Sequence, residues 1–229
     1  MLSRFSMSYE RLCRMVVMIF VVNVAMVLHT LLGIVVVGFF PSMAAAHSSY
    51  RSWLLSEDRS WTARHTWSVF HDSWKQELRS ANAFGWPLAL AWLLLIFDYW
   101  VVNWHDVGGH IGIAVSGALV VLMAVLGVFT LLAWVLRANF AESGWWIAKT
   151  TIQMVVARPL CSLMTTVLFL LMVWVWYTWP GVLMVFGLSV PAFLSSIVVF
   201  SYARLPGMDI HRTVSGVRTT QHMTEEKQS

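Results

Sequence analysis

The stretch FGWPLALAWLLLIFDYWVVNW, residues 84–104, constrains the fold more than any other part of the chain. At helical rise it reaches roughly 31 Å, the thickness of a bilayer's hydrocarbon core. One acid, Asp98, lies inside it, near its Trp-rich end. The segment therefore predicts a membrane-spanning helix carrying an ionisable side chain, and the rest of the chain repeats the theme of apolar runs joined by short polar connections.

Composition agrees with a lipid solvent. The chain is 59% hydrophobic and 11% charged, whereas soluble domains run near 45–50% apolar and about 25% charged. The net charge of +4 comes from 15 Lys and Arg spread through the connections. That pattern reads as a topology signal, not as the dense basic stripe of a nucleic-acid binder. Cys13 and Cys161 are too few and too far apart for a disulfide framework or a thiolate metal site, and are expected to be thiols near the cytoplasmic ends of helices. The N-terminal apolar run, residues 15–40, is far longer than the roughly 7–15 residues of a signal peptide's apolar region, so it reads as a retained anchor.

Six spans are expected, near residues 15–38, 41–55, 84–104, 111–136, 159–179 and 182–202, with 203–229 as a mobile cytoplasmic tail. The second, PSMAAAHSSYRSWLL, is short and rich in Ala and Ser, and hydropathy alone would lay it on the surface. If it crosses, all 15 basic residues fall on one side and both termini are cytoplasmic. The five-span alternative puts Arg4, Arg11 and Arg14 outside, against the positive-inside rule. Its small residues then suit a helix packed among its neighbours and away from lipid. The fold class is thus an all-α polytopic bundle. Amphipathic lead-ins with Trp61, Trp67, Phe70 and Trp74, and with Trp145 and Trp146, are expected to lie in the headgroup layer as candidate docking surfaces for a partner. Pro191 predicts a kink in the last span, because it leaves the carbonyl of Gly187 without its helical donor.

Counting residues from the start of each span places His29, His47 and Asp98 in one layer, about 21 Å from the inner surface. Ser116 and Ser189 approach the same depth. Ionisable groups in a membrane are costly and mark functional sites. A carboxylate between imidazoles suits proton transfer or contact with sugar hydroxyls. Equally, each group can be satisfied separately as interhelical glue. His105, Asp106 and His110 in the glycine-containing outer loop are not read as a metal site. Trp100, Trp104, Trp174, Trp176 and Trp179 at the outer ends suit an interfacial belt. No phosphate-binding loop, nucleophile elbow or zinc-helix motif occurs, so no enzyme chemistry and no cofactor is expected.

Three stretches carry a resemblance: GFFPSMAAAHSSYRSWL at the exit of the first span, TWSVFHDSWKQELRSANAFGWPLALAWLLLIFD, and Ala157-Arg158-Pro159 at the start of the fifth span. In these the chain resembles the YesL-like family of bacterial multi-pass membrane proteins, a domain of unknown function, over roughly residues 15–205. Phe39-Phe40 stands where that family usually has a threonine before the proline. The resemblance implies a place in the bacterial cytoplasmic membrane and assistance to a carbohydrate importer, with permeases of the sugar ABC type as partners. It supplies no catalytic or ligand residues. The alternatives are a small proton-coupled secondary transporter using His29, His47 and Asp98, and a structural or membrane-stress protein. Oligomeric state is left open.

Overall fold

The computed structural model describes residues 2–56, 60–104 and 109–202, and these residues contain eight helices. They are α1 (Leu2–Leu32), α2 (Phe39–Leu55), α3 (Ala63–Trp104), α4 (Gly109–Asn139), α5 (Gly144–Ala157), α6 (Pro159–Thr178), α7 (Pro180–Phe186) and α8 (Ser189–Tyr202). Four of them, including the Leu12–Leu32 part of α1 together with α3, α4 and α6, are long and apolar enough to cross a membrane, and α8 is a shorter apolar helix. The described chain is an all-helical membrane-type bundle. The tail, residues 203–229, lies outside the described residues.

The Ala/Ser-rich segment is neither a surface helix nor lipid-facing. As α2 it packs against α1, α3, α4 and α8, with Ala45 and Ala46 fully buried. Small side chains let four neighbouring backbones approach one short helix. Some of its polar groups are met locally: the Ser42 hydroxyl donates to the Gly38 carbonyl at 2.7 Å. Further along, Ser189 of α8 donates to the Ile19 carbonyl at 3.0 Å, so the Tyr50 hydroxyl, bonded to the same Ser189 oxygen, is the donor of that pair. One short chain of hydrogen bonds thus ties α1, α2 and α8.

The α1–α2 connection differs from expectation. Helix α1 stops at Leu32, six residues before the predicted end of the first span, and residues 33–38 form a tight turn. Ile34 and Val35 sit at φ of 54° and 59°, a region that β-branched residues rarely enter. Gly33 and Gly38 touch there, and a Cβ on Gly38 would lie 2.6 Å from the His29 carbonyl oxygen. The turn meets α3 near its middle: Asn82 donates to the Val37 carbonyl at 2.9 Å, and Phe40 occupies the space beside Gly85.

Helix α3 is the second departure. A lead-in near residues 61–80 and a span over 84–104 were expected as separate elements, but Ala63–Trp104 is a single helix of 42 residues. Across the junction Lys75–Arg79, Ala81 and Ala83 are strong helix formers, and Pro87 costs one backbone hydrogen bond without ending the helix. Beyond Gly85 the helix rises past the α1–α2 hairpin and leans on α4. There the Trp92 indole donates to Thr130 at 3.1 Å, and Thr130 donates to the Leu126 carbonyl at 2.6 Å. Only 6% of its bilayer-length window is buried.

The expected sixth span is broken in two. The interruption falls at Gly187, whose φ of 44° suits glycine, four residues before Pro191. The predicted kink is therefore a full break at the residue whose carbonyl the proline frees. Polar pairs gather at one end of the bundle: Arg51 donates to Asn139 at 3.0 Å, and Arg137 pairs with Glu77 and donates to Ser80 at 3.0 Å.

The strained turn yields a prediction. Val35→Gly removes a left-handed conformation costing roughly 1–2 kcal/mol and adds back a smaller unfolded-state entropy, for a net gain of up to about 1 kcal/mol. Thermal unfolding in detergent should show a higher midpoint; a lower one would mean that the exposed valine side chain contributes more than its backbone costs.

Candidate functional site

His29 lies near the end of α1 and is buried against the first turns of α3. Its Nδ1 is 2.8 Å from the Ala25 carbonyl, which only accepts, so Nδ1 carries the proton. The neutral ring then offers an Nε2 lone pair to His71 Nδ1 at 2.9 Å, and His71 is the donor. The rings of Trp67, Phe70 and Trp74 stand 5.3, 5.1 and 5.2 Å away. Trp67, Phe70, His71 and Trp74 recur at i, i+3, i+4 and i+7, one face of a helix. That stripe holds the imidazole of α1. His71 is the partner that sequence reasoning missed, although its register with the aromatics was the available signal.

His47 sits on the opposite, inner flank of α2. Its Nδ1 donates to the Met43 carbonyl at 2.9 Å, while its buried Nε2 has no hydrogen-bond partner. The ring stacks loosely on Trp134, with centroids 6.4 Å apart. It borders a cavity of about 570 Å³ between α2, α3, α4, α6 and α8. The walls are aliphatic and aromatic apart from His47 and Thr130, and the Thr130 hydroxyl is already engaged, taking the Trp92 indole N–H. Phe169 closes on Gly127, where no Cβ fits. A cavity so poor in polar partners cannot replace the hydration of a sugar's many hydroxyls.

The three ionisable groups expected in one layer are not brought together. The ring and hydrogen-bond neighbours of His29 come from the first half of α3, whereas Asp98 lies sixteen residues beyond Asn82, about 24 Å along the helix. The depth count failed because it took each span to begin in one plane, while α1 lies against residues that precede the third span. Asp98 is exposed, with no hydrogen bond or ion pair to any described residue. Ser116 meets Asn103 instead, at 3.4 Å, and Ser189 belongs to the Tyr50 link.

The proposed docking tryptophans also divide. Trp61 and Trp74, partly buried, pack against the main core, and Trp67 covers His29 while part of its ring stays exposed. Trp145 is 82% exposed, and Trp146, more covered, leans on Phe140 at 5.5 Å. His105 and Asp106 lie outside the described residues, and His110 is exposed. Among the described residues no group of three or more His, Cys, Asp or Glu side chains is placed to hold a metal ion.

Compared with known families, residues 19–99 match one described as "Protein of unknown function, DUF624". The match takes in the second half of α1, all of α2 and nearly all of α3, the segments that form the His29 cluster and part of the cavity wall. No curated protein and no solved structure matches the chain.

Two stability measurements follow. His71→Ala leaves His29 Nε2 without its donor and should destabilise by about 1–3 kcal/mol in thermal or denaturant unfolding, with His71→Asn recovering part of the loss. Combining a His29 and an Asp98 substitution should give additive effects to within about 0.5 kcal/mol, and a larger coupling would return the two to one site.

Proposed function

We propose that this chain is a non-enzymatic integral membrane protein that assists another membrane protein by packing against it within the bilayer. The observation that carries the reading is Asp98, exposed on a bilayer-length helix whose window is only 6% buried. An acidic side chain within the hydrocarbon is costly, by about 2.5–3.5 kcal/mol at a helix centre and less toward the end where Asp98 lies, and such residues face a protein interior or pair with another group. Within the described chain nothing serves Asp98, so a neighbouring protein that brings a donor to that face relieves the cost. The YesL-like resemblance supplies the partner class, a sugar ABC importer's permease, and with it a bacterial cytoplasmic membrane, while the one-sided count of Lys and Arg supplies cytoplasmic termini. Trp145, standing clear beside the polar end of the bundle, offers a second contact outside the bilayer. The apolar cavity and the separation of Asp98 from His29 weigh against the alternative of a proton-coupled sugar carrier.

Isolation of the full chain from its native membranes in mild detergent tests this. Importer permeases should be recovered with it, and Asp98→Leu should lower their recovery roughly tenfold, as expected for loss of an interhelical polar contact of about 1–2 kcal/mol. Sugar uptake by the protein alone in liposomes, lost on Asp98→Asn, would replace this reading with the carrier.

A further inference from the structure

We propose that the cavity beside His47 is a binding site for a hydrophobic alcohol, an apolar body ending in one hydroxyl that donates to His47 Nε2. The tautomer gives the polarity of the missing partner. Because Nδ1 spends its proton on the Met43 carbonyl, Nε2 presents a lone pair, and what it lacks is a donor. His47 is 1% exposed, so bulk water does not supply that donor. A trapped water is a poor substitute, since buried waters are held by two to four polar partners and dry cavities are apolar. Here the Thr130 hydroxyl is already bonded and the remaining walls are apolar and aromatic.

Size and access fit the same ligand. At about 570 Å³ the space falls within the roughly 300–1,000 Å³ of small-molecule sites. Its floor is formed by buried His47, Trp134 and Ala192, and its rim by exposed Val35, Val36 and Leu93. In a membrane-type bundle that rim faces hydrocarbon, so the ligand comes from the bilayer with its hydroxyl leading. A hydroxyl loses less hydration on burial than a carboxylate, and an ionised carboxylate has no proton to donate. An alcohol is therefore preferred over the corresponding fatty acid, and an alkane of equal length fills the space but leaves Nε2 unpaired.

The test uses the full chain in phospholipid nanodiscs, with an ω-bromo long-chain alcohol as a quencher of the cavity tryptophans Trp92 and Trp134. The alcohol should quench saturably at about tenfold lower concentration than the bromoalkane of equal length, the difference one hydrogen bond can make. His47→Leu should bring the alcohol down to the alkane's level. Ala89→Trp, at a half-buried lining position, should remove saturable quenching by both and serves should His47→Leu fail to fold. Equal quenching by alcohol and alkane, stronger competition by the carboxylate, no saturable quenching, or an alcohol preference that survives either substitution would overturn the assignment.

Discussion

Everything described here depends on how completely α2 is enclosed. A 17-residue helix of Ala, Ser and aromatic side chains cannot be held by hydropathy, and it is held by close approach on all sides. Ala44, Ala45 and Ala46 bring the neighbouring helices near, and the Tyr50–Ser189–Ile19 link closes α1 and α8 over it. Enclosure forces the α1–α2 connection into the strained turn at Ile34 and Val35, because α1 must reverse at once to keep α2 covered. It also carries His47 inward, to the edge of a cavity where its Nε2 has no hydrogen-bond partner.

The same packing divides α3 into two environments. Up to Gly85 its surface is used: Phe70 and Ala81 are fully buried, and the stripe around His71 receives His29. After Gly85 it has α4 on one side and little else, and Leu90, Leu93, Leu94, Phe97 and Trp100 are exposed. One helix thus serves first as part of a polar-ended core and then as a spanning segment. Its acid falls on the uncovered part, which is why Asp98 points to a neighbouring molecule and the histidines to the chain's own interior.

The apolar runs were legible as helices because their length and composition leave no other structure in lipid. The burial of α2 was legible only through charge: hydropathy alone would lay the segment on the surface, and the one-sided count of Lys and Arg points it inward, where its small residues suit close packing. What the sequence did not reveal was relative height. Depth was counted from span boundaries, and nothing in the residues 61–104 marks that lead-in and span are one helix, so Asp98 was placed beside His29 when it stands beyond it. The aromatic face of Trp67, Phe70 and Trp74 was visible, but an amphipathic stripe looks the same whether it meets headgroups or a neighbouring helix. His71, in register on that stripe, distinguishes the two only once His29 is seen opposite it. The cavity was not legible, because it arises where α6 and α8 meet α2, α3 and α4, which lie far from them in sequence.

The position of the α1–α2 turn against α3 tests this arrangement most directly. With Cys13 and Cys161 replaced, cysteine pairs at positions 37 and 82, and at 37 and 102, can be treated in native membranes with a short bifunctional thiol reagent. The contact between Val37 and Asn82 predicts efficient linkage of the first pair and none of the second. Linkage of 37 to 102 would show the hairpin reaching the far end of α3, restoring spans of equal depth and removing the separation of Asp98 from the histidines.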